Sequence, residues 1–142
     1  MKNILVGLLS LMAVAATAQT KSEVVDTKKH RVVMQVTDGD SLSQASITAQ
    51  VKNIRTALPN AEIEVVCQGP GLDLLMKAKS KSSKAVAEWS AQGVVFAACN
   101  NSMKRRNVKP EDLLPVARIV PSALVELTLK QEDGWAYVKG GH

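Results

Sequence analysis

The sequence predicts an α/β protein, a three-layer α/β/α sandwich with a mainly parallel five-stranded sheet. Short apolar runs alternate with amphipathic stretches along the chain, and strands alternating with helices imply a parallel sheet between helical layers. The centres of the strand segments, VVM, VV, VVFAA and IV, are continuous rather than alternating, which suits strands covered on both faces. No repeat or linker interrupts the pattern, so residues 30–142 read as a single domain.

The chain opens with Lys2, an apolar run over residues 4–16 and the small-x-small site Ala16-Thr17-Ala18. That order is the signature of a secretory signal peptide, so residues 1–18 are expected to be removed on export. The run is shorter than the ~20 residues a membrane-spanning helix needs, and no cysteine follows the cleavage site to carry a lipid. The expected compartment is the periplasm, with secretion the alternative, and no stable membrane anchor is expected. Residues 19–29 are polar and aperiodic and read as a flexible tail.

Strands are predicted over residues 31–37, 62–67, 94–99, 117–120 and 135–138. Between the first two, Ile47, Val51, Ile54 and Leu58 recur at helical spacing, and Pro59-Asn60 ends that helix. Helices are also predicted over residues 72–79, 84–92 and 122–130.

The chain has 142 residues, 46% hydrophobic, with a formal charge of +5. Loss of Lys2 with the leader lowers the charge to +4. Composition is that of one ordinary globular domain. Nucleic-acid binding is excluded as a reading: the charge is mild, the protein is exported, and only Trp89, Phe96, Trp135 and Tyr137 are aromatic, too few for stacking platforms.

In open parallel sheets, chemistry gathers at the carboxyl ends of the strands. Cys67 and Cys99 close the second and third predicted strands, Asp38 and Asp40 follow the first, and Gly69-Pro70-Gly71 follows the second. The stretch from Gly69 to Leu74 lacks the third glycine of a dinucleotide fingerprint, and no phosphate loop is present. It reads as a turn in which Pro70 starts a helix. No cofactor is therefore expected. Two cysteines have neither the density of a disulfide scaffold nor the spacing of a zinc site, so no metal is expected either.

The histidines do not help a thiol. His30 precedes the first strand, about 20 Å from the carboxyl-end rim at ~3.3 Å per residue, and His142 is the last residue. Asp38 and Asp40 read as a strand-to-helix turn with Asp40 or Ser41 as N-cap. Lys77, Lys79, Lys81 and Lys84 read as a solvated segment.

Cys99 is more informative. Asn100, Asn101 and Ser102 follow it, then Lys104, Arg105 and Arg106. A thiol at a helix start meets unpaired N–H groups and the positive end of the helix dipole, and nearby cations add to that field. Two readings stand: an activated thiol, or a small buried residue beside a solvated basic helix. Cys99 is expected to have a lower thiol pKa than Cys67, and to be free or reversibly modified, with a disulfide to Cys67 the minority outcome.

Together GPGLDLL, VVFAACNNSM and IVPSALVELTLKQEDGWAYVKGG resemble the DsrE/DsrF-like family, including small exported members, over about residues 31–139. The resemblance implies a parallel five-stranded α/β fold and homo-oligomers, trimers or hexamers. It also implies that Cys99 matches the cysteine that accepts sulfur as a persulfide in cytoplasmic sulfur-relay members. Two positions depart from the family pattern: Gln68 where members often carry His, and Ala123 where many carry Gly.

The leading expectation is an exported sulfur-handling thiol protein with Cys99 as nucleophile. Asn100, Asn101, Gly69 and Gly71 would line the ligand site, Lys104 and Arg105 would draw in anionic sulfur species, and a small sulfur species or a sulfur-donor protein would be the partner. The alternative is a non-catalytic oligomeric module binding a small anion or a partner peptide at the same rim. Replacing Cys99 separates the two.

Overall fold

A computed structural model describes residues 24–142. The expected leader at residues 1–18 and the start of the tail lie outside the described residues. Residues 24–29 have no regular structure and are tied to the domain by the Asp26 N–H on the Ala57 carbonyl at 2.8 Å and by Asn60 Nδ2 on the Thr27 carbonyl at 2.7 Å.

The strands are β1 (Arg31–Val36), β2 (Glu62–Cys67), β3 (Val95–Cys99), β4 (Ala117–Val120) and β5 (Ala136–Lys139), joined by helices α1 (Ser41–Ala57), α2 (Ser83–Ala91), α3 (Asn100–Arg105) and α4 (Ala123–Glu132). All five strands are parallel, in the order β4-β3-β2-β1-β5. The expected sandwich is present, and its sheet is parallel throughout.

Local sequence accounts for the elements. Asp40 caps α1, its Oδ1 accepting the N–H groups of Leu42 and Ser43 at 3.0 Å each. The buried face of α1 includes Ile47 and Val51, each contributing ~1.5–3 kcal/mol by leaving water. One prediction fails. The helix expected over residues 72–79 is instead a 3-10 helix, Gly69–Leu75, followed by an extended Met76 with φ −90° and ψ 129°. Met76 forms an antiparallel bridge with Leu113, and Leu75 and Lys77 bond the backbone of Leu114 and Asp112. Those long-range bonds pull the chain out of the helical conformation that its leucines alone favour.

Connection handedness explains the layering. The steps β1 to β2, β2 to β3 and β3 to β4 move in one direction along the sheet, whereas β4 to β5 returns across it. Right-handed crossovers then place the return helix on the opposite face. One core accordingly contains Met34, Ile47, Val65, Cys67, Phe96 and Met103 with their neighbours. The other, smaller core lies under α4 and contains Val33, Val66, Ala97, Cys99, Val120, Ala123 and Leu127. Adjacent strands β3 and β4 therefore feed helices on opposite faces, which opens a crevice at their carboxyl ends.

Candidate functional site

Cys99 sits at that crevice. It ends β3, pairs in register with Val120 of β4, and is the N-cap residue of α3. Its side chain turns to the α4 side of the sheet, where the N–H of Ala123, the first residue of α4, donates to Sγ at 3.2 Å. The sulfur thus lies at the N-terminal ends of two helices.

Burial of Cys99 opposes ionisation. The Ala123 N–H, the hydroxyl and N–H of Ser102 and the N–H of Asn101 act the other way and hold the thiol below its ordinary value. Each of these groups favours the thiolate by hydrogen bonding to it. Cys67 is the contrast: it is completely buried, and burial alone pushes its thiol far above the ordinary value.

A cavity of about 480 Å³ opens over Cys99. Asn101, Ser102, Lys104 and Arg105 of α3 line one side, and Gln68, Ser122 and Leu124 complete the wall. Among the described residues, no carboxylate lines it. Ser102 is buried, and its Oγ accepts the Gly69 N–H at 2.8 Å. That bond joins α3 to the turn after β2 and fixes the floor of the cavity.

The structure brings together four of the residues singled out in the sequence: Cys99, Asn101, Lys104 and Arg105. Asn100 begins α3 but does not line the cavity. Gly69 lies behind it, its N–H held by Ser102 and its carbonyl by Arg106 Nη1 at 2.7 Å. Gly71 is buried against β1, where an added Cβ would come within 2.4 Å of the Val36 carbonyl oxygen. Both glycines shape the turn and leave the lining to side chains. Arg106, grouped with the other cations in the sequence, is paired with Asp73.

Sequence reasoning missed Ser102, Ser122, Leu124 and the lining role of Gln68. Ser102 was within reach, because the third residue after an N-cap presents its groups back toward the cap. Ser122 and Leu124 depend on α4 crossing to the second face, which no local pattern encodes.

The histidines lie elsewhere. His30 is 3.3 Å from Asp26, and His142 Nδ1 is 3.0 Å from Ser43 Oγ at the start of α1. The strand that His142 follows, β5, lies three strands from β3 in the sheet order, roughly 14 Å at ~4.8 Å per strand. Among the described residues, no group of three or more His, Cys, Asp or Glu side chains is placed to hold a metal ion, and no helix is long and apolar enough to cross a membrane.

Comparison with known proteins gives the same architecture. The model of the DsrE/DsrF-like family matches residues 30–139. No curated protein matches the chain. Among solved structures, it is similar to MTH1491 of Methanobacterium thermoautotrophicum, described as a protein of unknown function. The identity is 31% and the TM-score 0.74, over 78% of this chain and 98% of that one.

Proposed function

The chain belongs to the DsrE/DsrF-like family, and from that premise we propose that it is an exported thiol protein that takes up sulfur as a persulfide on Cys99. The family is associated with sulfur relay. The observation that carries the reading is Cys99 itself, which lines the cavity between α3 and α4 and whose sulfur is held toward thiolate by the Ala123 N–H and the start of α3.

The chemistry follows from the position. The thiolate is the attacking form of cysteine, and it attacks the sulfane sulfur of a donor, whose S–S bond breaks as the new one forms while the rest of the donor leaves with the electron pair. The outer sulfur of the resulting persulfide extends into the cavity lined by Lys104 and Arg105, which favour its anionic form once its proton is lost. Asn101 and Ser102 keep the inner sulfur in place through the N–H groups already described. Cys67 takes no part, being buried in the opposite core.

We propose further that the protein is a homo-oligomer outside the cytoplasm. Leu124, Val125 and Leu129 on α4 and Tyr137 and Val138 on the edge strand β5 are exposed, and an exposed strand edge invites pairing or cover.

The test is the sulfane sulfur carried by each chain, measured by cyanolysis after incubation with a persulfide donor. Wild type and Cys67→Ser are expected to carry one labile sulfur per chain, and Cys99→Ser none. Undiminished sulfur on Cys99→Ser would overturn the reading and favour a non-catalytic anion-binding module.

A further inference from the structure

Resting on the reading of Cys99 as a sulfur acceptor, we propose that the donor is a small organic persulfide bearing carboxylates, of about tripeptide size, and that the Cys99 cavity is its binding site. Three features of the cavity point there.

The first is size. A volume of about 480 Å³ lies within the ~300–1,000 Å³ range of pockets that enclose organic ligands. An inorganic sulfur anion of a few atoms would leave most of that space to water. The second is charge. Lys104 and Arg105 line the cavity without any acidic neighbour in the wall among the described residues, although other basic side chains are paired: Arg106 and Lys79 with Asp73, and Lys130 with Glu64. Among the described residues Lys104 forms no ion pair, and Arg105 has only a 3.5 Å contact with Ser102 Oγ.

The third is hydrogen-bonding capacity. The side chains of Gln68, Asn101 and Ser122 line the cavity without a partner among the described residues, as bonds to a ligand's amides and carboxylates require. Leu124 adds an apolar wall for its methylene groups.

The transfer step balances without a further reagent. Cys99 Sγ attacks the terminal sulfur of the protonated persulfide R–S–SH. An Sγ–S bond forms as the donor's S–S bond breaks, the proton stays with the transferred sulfur, and the electron pair leaves on R–S⁻. One S–S bond replaces another, so nothing is oxidised or reduced overall. The departing thiolate and the carboxylates face Lys104 and Arg105, which favour an anionic donor over a cationic one.

The purified protein is mixed with glutathione persulfide, cysteamine persulfide or thiosulfate, and sulfur addition at Cys99 is followed by mass. Loading from glutathione persulfide is expected to saturate and to run at least about tenfold faster than from cysteamine persulfide, a factor that ionic complementarity in a partly buried site readily supplies. A Lys104→Glu/Arg105→Glu double variant is expected to reverse that preference. The ratio of the two rates cancels any change in the reactivity of the thiol itself. Equal rates from both persulfides, a ratio unmoved by charge reversal, non-saturating kinetics or thiosulfate loading as fast as glutathione persulfide would each overturn the donor assignment while leaving Cys99 an acceptor. If no donor loads Cys99 in protein that still alkylates there, the proposed function falls, and this inference with it.

Discussion

Cys67 and Cys99 end neighbouring strands but face opposite layers of the sheet. Cys67 stands beside Ala98 in the β2–β3 register, one residue short of Cys99, and successive side chains on a strand point to opposite faces. Cys67 belongs to the core under α1 and α2, Cys99 to the core under α4. A disulfide needs Cβ atoms directed at one another within about 4.5 Å, so the sheet itself keeps the two thiols apart.

The first prediction concerns reactivity. Cys99 is expected to react with iodoacetamide at neutral pH, with a pH midpoint below that of a free thiol, because hydrogen bonds to its sulfur outweigh its burial. Cys67 is expected to react only on unfolding, burial having raised its pKa. Peptide mapping after timed labelling of native protein checks both, and early label on Cys67 would contradict the placement.

A second prediction isolates one donor. Ala123→Pro removes the N–H that reaches Cys99 Sγ at the first position of α4, where proline is tolerated. Ser122 already has the extended backbone that a following proline requires, with φ −150° and ψ 130°. The Cys99 titration midpoint should rise while helix content persists, at a stability cost of ~1–3 kcal/mol from crowding by the ring. An unchanged midpoint would show that the Ala123 amide does not support the thiolate.

Beneath α4, Glu64 is buried and pairs with Lys130 at 2.6 Å. Burial, together with the Glu64 carboxylate, raises the Glu126 carboxyl above its ordinary 4.5. A raised folded pKa contributes stability that is complete below the unfolded value and lost as pH rises through the folded one. Glu126→Gln, neutral throughout, should therefore melt no lower than wild type near neutral pH, and its relative advantage should shrink below about pH 4, where both residues are neutral. Thermal melts across pH test this; a variant markedly less stable than wild type at neutral pH would mean that the Arg118 and Lys130 pairings outweigh burial.

The turn after β2 gives a fourth. Gly71→Ala would place a methyl 2.4 Å from the Val36 carbonyl oxygen and 2.7 Å from its carbonyl carbon, and this strand backbone cannot swing aside as a flexible side chain would. A loss of ~1–3 kcal/mol or more is expected, measured by denaturant unfolding. A neutral substitution would show that the turn does not pack as described.

The extent to which the sequence anticipates this structure depends on which residues are local in their effects. Strands β2 and β4 fall on the predicted residues 62–67 and 117–120, β1 and β3 differ by one residue at one end, and β5 is shifted by one residue at both. Continuous apolar runs mark the buried strands β1, β2 and β3, whereas β4 and β5 are largely exposed rather than covered on both faces. Of the two N-cap candidates, Asp40 and Ser41, Asp40 is the one that caps α1. The 3-10 segment escaped because Met76 and Leu113 are brought together across 37 residues. Arg106 looked equivalent to Lys104 and Arg105 until Asp73 claimed it. Cys99 and the cations were visible as neighbours in sequence. The far wall of the cavity, Ser122 and Leu124, required knowing that the last crossover runs on the other face.

The most direct measurement of the central claim is the intact mass of the freshly isolated protein, taken with and without reductant and followed by peptide mapping. A fraction of molecules should carry one additional sulfur atom on the Cys99 peptide, removed by reductant and absent from Cys99→Ser. Additional sulfur confined to Cys67, or a Cys99 that stays unmodified even after incubation with a persulfide donor, would contradict it.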